Sequence, residues 1–417
     1  MARLIIDGGK RLQGKVRISG AKNAALAIIA ASVMAEGETI LENVPCIADV
    51  EYQLDIISGM GAEVKWLDPN TVRLVVPDTI SSSAPYRLVK KLRASNLLLG
   101  ALLARKGMAE VPLPGGCDIG ARPMDLHFKG LTALGAEIRL KHGFVVARGN
   151  CLSGTRIYLD FPSVGATENI MMAACRASGV TVIENAAKEP EVVDLANFLN
   201  AMGAKVRGAG TDLIKIEGVS DLRGVRYAVI PDRIEAGTYM IAAAATGGDV
   251  WVDNIIATHL QPIIAKLQEV GAVVEEKETA IRVIGREKLF STDVKTLPYP
   301  GFPTDLQSPM MSLLAVAKGT SIIRENIFEN RLQVAEELKR MGASVKVEGQ
   351  VAVIVGVEQL YGARVNAPDL RAGAALVIAG LMAEGTTEVL NASVIHRGYE
   401  HLKEKLTALG ASIQVHT

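Results

Sequence analysis

The chain alternates between long apolar segments rich in small residues and shorter segments in which apolar and polar positions alternate. A motif made of an apolar helical end, the dipeptide Gly-Ala and an alternating segment recurs six times, 68 to 74 residues apart. The six copies are centred on Gly61, Gly135, Gly203, Gly271, Gly342 and Gly410. A period of this length across the whole chain predicts six copies of one supersecondary unit.

Each repeat contains two predicted helices of different character. One helix is apolar on nearly all sides and ends at a glycine, so we expect it to be buried. The six helices of this kind are Lys22–Gly37, Arg93–Gly107, Gly165–Gly179, Ala236–Gly247, Asp305–Gly319 and Arg371–Gly385. The other helix, for example Asn330–Met341 or Tyr399–Leu409, is amphipathic and is predicted to face solvent on one side. Short strands lie between the helices and a strand pair follows Gly-Ala, so each repeat has the predicted order β-α-β-α-β-β.

The two ends of the chain predict how the repeats are grouped. The sixth repeat stops at Thr417 after one strand of its final pair, and Leu4–Asp7 has the pattern of the missing partner. We therefore expect residues 1–20 to complete the sixth repeat. The economical prediction is an α/β fold of two domains with three repeats each, residues 21–229 and residues 1–20 plus 230–417, with the active site in the cleft between them. A single closed ring of six repeats fits the same periodicity.

Composition excludes several classes of protein. The 417 residues include 45 Lys and Arg and 45 Asp and Glu, and this balance argues against a dedicated nucleic-acid binder. The longest uncharged apolar stretches reach about a dozen residues, whereas a bilayer span needs about 20. The first residues have no signal-peptide pattern, so we expect a cytoplasmic protein without a membrane span. The four cysteines lack metal-ligand or disulfide-framework spacing, and we expect no metal site.

One segment, Leu113–His127, departs from the repeat. It carries Pro114-Gly-Gly directly before Cys117, which predicts an irregular loop with a thiol in it. A thiol close to Arg122 would have a stabilised thiolate and could act as a nucleophile or a proton donor. The alternative is a small buried cysteine, which fits the apolar patterns around Cys151 and Cys175 better than the Gly and Asp that flank Cys117.

Charged side chains recur where the predicted buried helices begin. Lys22 and Asn23 occupy the first turn of the first such helix, and a helix N-terminus with a lysine favours anions. Charged residues at or near the corresponding places in other repeats are Arg93, Asp232, Arg233, Asp305, Arg331, Asp369, Arg371 and Arg397. One such residue is usually a cap or a dipole partner, but repetition at equivalent places indicates a site for a polyanionic ligand.

Several motifs carry a resemblance to a known family. The segments SGAKNAAL, KLRAS, PGGCDIGARPMDLH, SVGAT, PDRIEAGTY, FPTDLQ, FENR, PDLRAGAA and HRGYEHL resemble the enolpyruvyl transferases that act on UDP-N-acetylglucosamine in peptidoglycan synthesis. The resemblance runs from end to end and implies two inside-out α/β domains with the helices inside. It also implies a transferase of cell wall biogenesis that moves the enolpyruvyl group of phosphoenolpyruvate to the sugar 3-hydroxyl, releases phosphate and needs no cofactor.

The same resemblance implies roles for individual residues. It makes Cys117 the proton donor and the target of the epoxide antibiotic fosfomycin, Asp305 a candidate base, and Lys22 and Arg397 catalytic cations. The implied substrate contacts are Lys22, Asn23, Arg93, Arg122, Pro123, Met124, Asp125, Leu126, His127, Ser163, Val164, Gly165, Asp305, Ile327, Arg331, Asp369 and Arg371. The chain departs from some members at Ala48 and Phe161, where those members carry lysine, so any diphosphate contact from these positions is lost.

Three other readings remain open at this point. A sister enolpyruvyl transferase acting on shikimate 3-phosphate shares the fold, but its first helix resembles G-S-K-S, whereas this chain reads G-A-K-N at residues 20–23. A non-catalytic paralogue that only binds the nucleotide sugar would more commonly have lost one of Lys22, Cys117, Asp305 or Arg397. A repeat scaffold for partner proteins fits poorly with charged groups at the starts of buried helices.

Overall fold

The computed structural model describes residues 2–113, 119–120 and 123–416, which form two compact units. We call residues 20–113 with 123–230 the central unit, and residues 2–19, 119–120 and 231–416 the terminal unit. Each described unit contains three small β-sheets and three buried helices that pack on one another.

The sheets of the central unit contain four, three and four strands. In spatial order the first consists of Arg226–Ala228, Glu38–Glu42, Thr71–Val75 and Glu63–Asp68. The second consists of Met108–Pro112, Phe144–Arg148 and Glu137–Lys141. The third consists of Lys205–Arg207, Leu213–Glu217, Val180–Glu184 and Arg156–Tyr158. In the three-stranded sheet, a parallel bridge between Ser83 and Glu110 takes the place of the fourth strand.

The sheets of the terminal unit contain four strands each. The first consists of Arg364–Asn366, Thr386–Leu390, Arg3–Asp7 and Ser412–His416. The second consists of Val273–Glu276, Ala280–Ile284, Asp249–Asp253 and Gln13–Arg17. The third consists of Val294–Lys295, Thr320–Arg324, Val351–Val355 and Ser344–Glu348. In every four-stranded sheet one edge strand is parallel to its neighbour and the other pairs are antiparallel.

The inner helices carry the cores of the two units. In the central unit they are Lys22–Ser32, Leu98–Lys106 and Val164–Ala174, and in the terminal unit Arg233–Ala245, Gln307–Leu314 and Leu370–Met382. The outer α-helices are Ala48–Gly59, Tyr86–Val89, Asp125–Ala133, Pro190–Ala201, Gln261–Glu269, Val334–Arg340 and Leu402–Ala408. Short 3₁₀ turns cover Arg93–Leu97, Ala257–Leu260, Thr304–Leu306, Arg331–Gln333 and Ala392–Arg397.

Small residues let the inner helices approach closely. A Cβ added to Gly100 would lie 2.2 Å from the carbonyl oxygen of Asn169 on the neighbouring inner helix, so only glycine fits there. The helices inside and sheets around them are the inside-out α/β architecture that the resemblance implied, and the order β-α-β-α-β-β is confirmed by the run from Arg156 to Glu217.

An asparagine that follows the central strand of each four-stranded sheet ties that strand to its parallel neighbour. In each case the side-chain amide donates to a backbone carbonyl at the end of the parallel strand, over 2.7 to 3.0 Å. The five asparagines are Asn43, Asn185, Asn254, Asn326 and Asn391. The three-stranded sheet lacks this residue, because Met108–Pro112 runs instead into the segment that contains Cys117.

The chain ends join two different sheets. Arg3–Asp7 pairs with Ser412–His416 and so completes the sixth repeat, as the strand pattern predicted. Gln13–Arg17, however, pairs in parallel with Asp249–Asp253 and completes the sheet of the fourth repeat. The expectation that all of residues 1–20 belong to the sixth repeat was therefore wrong for the second strand.

Candidate active site

In the central unit, Lys22 is a buried cation with a buried counter-charge. It begins the first inner helix, and its Nζ lies 2.7 Å from Oδ2 of Asp49 on the outer helix Ala48–Gly59. Both side chains are almost fully buried. The neighbouring Asn23 is exposed on the same helical turn. The pair places a fixed positive charge at a helix N-terminus, where the helix dipole also favours an anion.

The end of the segment Leu113–His127 leads into a short helix. Pro123 and Asp125 are exposed, Leu126 is half-buried and Met124 is buried directly before the helix Asp125–Ala133. Elsewhere in the unit, Arg93 is half-buried at the start of a 3₁₀ turn.

His127 is buried and held by a directional hydrogen-bond network. Its Nδ1 lies 2.9 Å from Nδ2 of Asn169. The Asn169 amide is oriented because its Oδ1 accepts from the Gly100 N–H and its Nδ2 also donates to the Asn96 carbonyl. Since an amide nitrogen only donates, His127 Nδ1 must accept, which leaves the proton of the neutral ring on Nε2.

The segment of Ser163, Val164 and Gly165 lies against this histidine. Ser163 caps the inner helix Val164–Ala174 through a 3.4 Å contact from the Ala166 N–H to its hydroxyl. A Cβ added to Gly165 would lie 3.1 Å from Cε1 of His127. The structure therefore brings two of the sequence-predicted segments together, with small residues where the backbone approaches the imidazole.

In the terminal unit, Asp305 lies between two buried arginines. Its Oδ1 is 2.6 Å from Nη2 of Arg331 and its Oδ2 is 3.4 Å from Nη2 of Arg371. Both arginine side chains are 3% exposed, whereas that of Asp305 is 24% exposed. Burial opposes the charge of Arg371, but Asp305, Tyr399 and Asp232 outweigh it and raise the pKa of this guanidinium.

The two arginines have hydrogen-bonding capacity to spare. Nε of Arg331 and Nη1 of Arg371 are buried and have no hydrogen-bond partner within the described ranges. A buried N–H without an acceptor is costly, so an anionic group that fills this role would be stabilised strongly.

Three further predicted residues belong to the terminal unit, namely Asp369, Ile327 and Arg397. Asp369 caps the inner helix Leu370–Met382 by accepting from the N–H groups of Arg371 and Ala372, at 2.7 and 3.1 Å. Ile327 is half-buried, and its N–H donates to Glu325. Arg397 is half-buried at the end of the turn Ala392–Arg397.

The described residues next to the cysteine belong to the terminal unit. The carbonyl of Ile119 accepts from the N–H of Asn330, which directly precedes Arg331. Gly120 has φ 138°, and an added Cβ there would lie 2.6 Å from Oε2 of Glu329. Cys117 and Arg122 themselves lie outside the described residues.

Other sequence expectations have mixed outcomes. Cys175 is buried as expected, but Cys151 is exposed, so the prediction of a buried Cys151 was wrong. At the two departures from the family, Ala48 is half-buried and Phe161 is 44% exposed. Over residues 2–113, 119–120 and 123–416, no cluster of His, Cys, Asp or Glu is arranged to hold a metal ion. No helix in this part of the chain has the length and apolarity that a bilayer span requires.

Sequence reasoning missed three residues that hold the predicted ones. Asp49 pairs with Lys22, Asn169 orients His127, and Glu325 binds the backbone beside Ile327. Asn169 carries a usable signal, because a polar residue in the middle of an apolar helix needs partners. Asp49 and Glu325 occupy ordinary positions for charged residues, and nothing in the local pattern distinguishes them.

Comparisons with known proteins identify the family. The model of the family described as EPSP synthase (3-phosphoshikimate 1-carboxyvinyltransferase) matches residues 6–406. UDP-N-acetylglucosamine 1-carboxyvinyltransferase 1 of Caldanaerobacter subterraneus subsp. tengcongensis is 56% identical over 411 residues, or 99% of each chain. UDP-N-acetylglucosamine 1-carboxyvinyltransferase 2 of Carboxydothermus hydrogenoformans is 57% identical over 416 residues, again 99% of each chain. The chain belongs to this family of enolpyruvyl transferases, and it groups there with the UDP-N-acetylglucosamine 1-carboxyvinyltransferases.

Solved structures agree with this placement. The enolpyruvyl transferase NikO from Streptomyces tendae superposes with a TM-score of 0.90 at 26% identity, covering 99% of this chain and 98% of that one. An EPSP synthase from Acinetobacter baumannii superposes with a TM-score of 0.78 at 23% identity over the full length of both chains, and this likeness concerns the fold alone. The fold class predicted from the repeats is therefore confirmed.

Proposed function

We propose that the chain transfers the enolpyruvyl group of phosphoenolpyruvate to the 3-hydroxyl of UDP-N-acetylglucosamine and releases phosphate, as the first committed step of peptidoglycan synthesis. The observation that carries the proposal is identity of 54–57% over 99% of the chain to four relatives that bear the name of this activity. We place this reaction, with its two small-molecule substrates, in the cytoplasm.

The charges of the substrates match the cations of the site residues. The substrates bring a carboxylate, a phosphate and a diphosphate, so several cations must offset their mutual repulsion. Lys22 in the central unit and Arg331 and Arg371 in the terminal unit are buried cations near helix or turn starts. The unfilled N–H groups of the two arginines suit a carboxylate or phosphate oxygen, and Arg397 adds a further cation.

Roles in this reaction follow from the family resemblance, residue by residue. Arg93, Arg122, Pro123–His127 and Ser163–Gly165 bind the nucleotide sugar, with Asn23. Lys22, Arg371 and Arg397 bind phosphoenolpyruvate, and Arg331, Asp369 and Ile327 support the sugar and Asp305. The carbonyl of Ile119, two positions after Cys117 in the sequence, accepts from the N–H of Asn330, the residue before Arg331.

The chemistry requires an acid and a base. Cys117 donates a proton to the methylene carbon of phosphoenolpyruvate while the sugar 3-oxygen bonds to its C2, and Asp305 accepts the hydroxyl proton. The resulting tetrahedral intermediate then loses a methyl proton to the Cys117 thiolate, and the phosphate leaves with the proton held by Asp305, which restores the double bond and both side chains. Fixed cations stabilise the phosphate as it leaves.

The test is phosphate release by the purified protein. With phosphoenolpyruvate, UDP-N-acetylglucosamine should give stoichiometric phosphate and a product whose mass has increased by one enolpyruvyl group. Shikimate 3-phosphate in place of the nucleotide sugar should give none. If phosphate is released with shikimate 3-phosphate but not with UDP-N-acetylglucosamine, the chain has the sister activity. Tight binding of the nucleotide sugar without release of phosphate would indicate a non-catalytic paralogue.

A further inference from the structure

Glu325 is a fully buried carboxylate with four neutral hydrogen-bond donors around it. Its side chain is 0% exposed. Oε1 accepts from the Thr296 hydroxyl at 2.9 Å and from the backbone N–H groups of Ile327 and Phe328 at 2.9 and 3.1 Å. Oε2 accepts from the Thr304 hydroxyl at 2.9 Å. A buried carboxylate is tolerated only when its oxygens are satisfied in this way.

The two oxygens hold two different segments. Oε1 fixes the loop of Ile327 and Phe328, and the Phe328 ring lies 5.5 Å from the guanidinium carbon of Arg331. Oε2 fixes Thr304, the first residue of the turn Thr304–Leu306 that carries Asp305. Glu325 therefore joins the two segments whose side chains form the Asp305–Arg331 ion pair.

Each hydrogen bond to Glu325 has a defined donor, and this restricts how the two segments can move relative to each other. The Thr296 hydroxyl donates to Glu325 and its oxygen accepts from the Asn326 N–H at 2.9 Å, so both directions are used. The Thr304 hydroxyl donates to the otherwise uncommitted Oε2. Side chains whose hydrogen bonds are directional in this way hold their neighbours to a narrow range of positions.

We propose that Glu325, acting through the Thr304 hydroxyl, is a positioning residue that sets the place of Asp305 relative to Arg331. The proposal rests on the function proposed above, because Asp305 is there the acceptor of the sugar hydroxyl proton. Neither Glu325 nor Thr304 takes part in proton transfer in this scheme. A small displacement of the Asp305 carboxylate from the hydroxyl is enough to slow the reaction strongly.

The first test removes one hydroxyl and then restores it. Thr304→Val keeps the shape but loses the bond to Oε2, and Thr304→Ser keeps the bond. We expect kcat for phosphate release to fall by about 10- to 100-fold in Thr304→Val, with KM for both substrates nearly unchanged, and to recover in Thr304→Ser. A structural role alone would lower the melting temperature and leave kcat intact.

The chain offers a matched control in the same unit. Thr387 is 0% exposed, and its hydroxyl has no hydrogen-bond partner among the described residues. Thr387→Val makes the same chemical change in a buried place away from Glu325, so it should leave kcat and KM at the parental values. A loss in Thr387→Val equal to that in Thr304→Val would overturn the proposal.

Two further measurements separate this inference from the proposed function. The first is a double-mutant cycle with Glu325→Gln. In the Glu325→Gln background, Thr304→Val should lower kcat much less than it does in the parent, because the contact is already broken. Additive losses of kcat would contradict the link. Crystal structures of Thr304→Val and Thr304→Ser report the Asp305–Arg331 separation whether or not the parent is active. An unchanged separation in Thr304→Val would overturn the inference, and a parent that releases no phosphate would overturn only the proposed function.

Discussion

Arg331 and Asp305 form an ion pair at 2.6 Å in which the arginine is buried and the aspartate remains partly exposed. Asp305 lies in the first turn of the segment that leads into the inner helix Gln307–Leu314, in agreement with the helix start predicted at this residue. The guanidinium groups of Arg331 and Arg371 stabilise its charge further. Asp305 is therefore an oriented acceptor whose exposed side can meet a ligand.

This arrangement predicts two effects of Asp305→Asn. Turnover should fall by about 10²–10⁴, the range for loss of a general base, because the amide cannot accept the hydroxyl proton. The variant also leaves two buried guanidinium groups without their carboxylate, so inorganic phosphate should raise its melting temperature more than that of the parent.

The control for this comparison is Glu336→Gln. This change breaks an exposed ion pair with Lys339 and should alter neither turnover nor the response to phosphate. Steady-state phosphate release and thermal melting with and without phosphate measure both effects. If Asp305→Asn keeps the parental turnover, Asp305 is not the base and another residue must accept the hydroxyl proton.

A pair of buried tyrosines predicts a measurable difference in stability. The Tyr399 hydroxyl lies 2.9 Å from the Thr238 hydroxyl, which itself donates to the Ile234 carbonyl, so Tyr399 is the donor. The Tyr239 hydroxyl is buried without a partner in the part of the chain that the structure describes. Tyr399→Phe should lower the free energy of unfolding by about 1 kcal/mol or more, and Tyr239→Phe should not lower it.

Urea unfolding of the two variants and the parent provides the measurement. The two changes remove the same atom from side chains with the same burial, and only one removed atom is hydrogen-bonded. Equal losses in both variants would show that the hydrogen bonds of the Tyr399 hydroxyl, with Thr238 and with Arg371, contribute nothing to stability.

The cysteines should differ sharply in reactivity. Burial raises the pKa of the Cys175 thiol to about 12, so it has no thiolate at neutral pH. Cys46 and Cys151 are exposed and should react slowly with iodoacetamide. Fosfomycin should add once, to Cys117 alone, and Cys117→Ser should abolish both this adduct and most of the turnover while sugar binding persists.

Intact mass and peptide mapping identify the modified residue. Labelling of Cys175 in the folded protein would contradict its burial. A fosfomycin adduct on Cys46 or Cys151, or none at all, would remove the support for Cys117 as the proton donor.

The repeat made most of the fold predictable, whereas the partners of the site residues were not. Gly-Ala periodicity and apolar helices predicted the order of elements because each repeat must bury the same faces. The asparagine that follows a strand in five of the repeats, such as Asn43 or Asn185, recurs with the same period in the sequence. In the repeat of Met108–Pro112 this asparagine is absent and the segment that contains Cys117 follows the strand, so this repeat differs from the others.

Tertiary contacts explain what the sequence could not provide. Asp49 is 27 positions from Lys22, and Thr304 is 21 positions from Glu325, so no local pattern connects them. The placement of Gln13–Arg17 in the fourth repeat likewise depends on parallel pairing with Asp249–Asp253, and parallel partners cannot be read from turn signals.

The raised pKa of the buried Asp194 predicts that stability depends on pH. Burial raises its pKa to about 6, although the Tyr227 hydroxyl at 2.6 Å and the Ile230 N–H at 3.2 Å oppose this, and nearby Glu191 adds to the rise. Between about pH 4 and pH 6 the native state holds a proton that the unfolded state has lost. The free energy of unfolding should therefore decrease as pH rises through this window, by at most about 3 kcal/mol from this group.

Asp194→Asn isolates this contribution because the amide does not titrate. Urea unfolding of parent and variant from pH 4 to pH 7 should show that the parent loses stability relative to the variant as pH rises. Parallel curves would show that Asp194 has the same pKa in the folded and unfolded chains.

The Lys22–Asp49 pair predicts that stability and activity can be separated at one site. Asp49→Asn leaves a buried ammonium group without its counter-charge, so the free energy of unfolding should fall by about 3–5 kcal/mol. Adding Lys22→Met removes that charge and should restore much of the stability. The double variant should nevertheless have little turnover, because it lacks the lysine that the proposed function assigns to phosphoenolpyruvate binding. Glu217→Gln, which breaks the exposed pair with Lys205 in the same unit, serves as the control and should change neither property. Chemical denaturation and phosphate release on the four proteins decide the matter: a double variant that regains turnover together with stability would show that Lys22 acts only as the partner of Asp49.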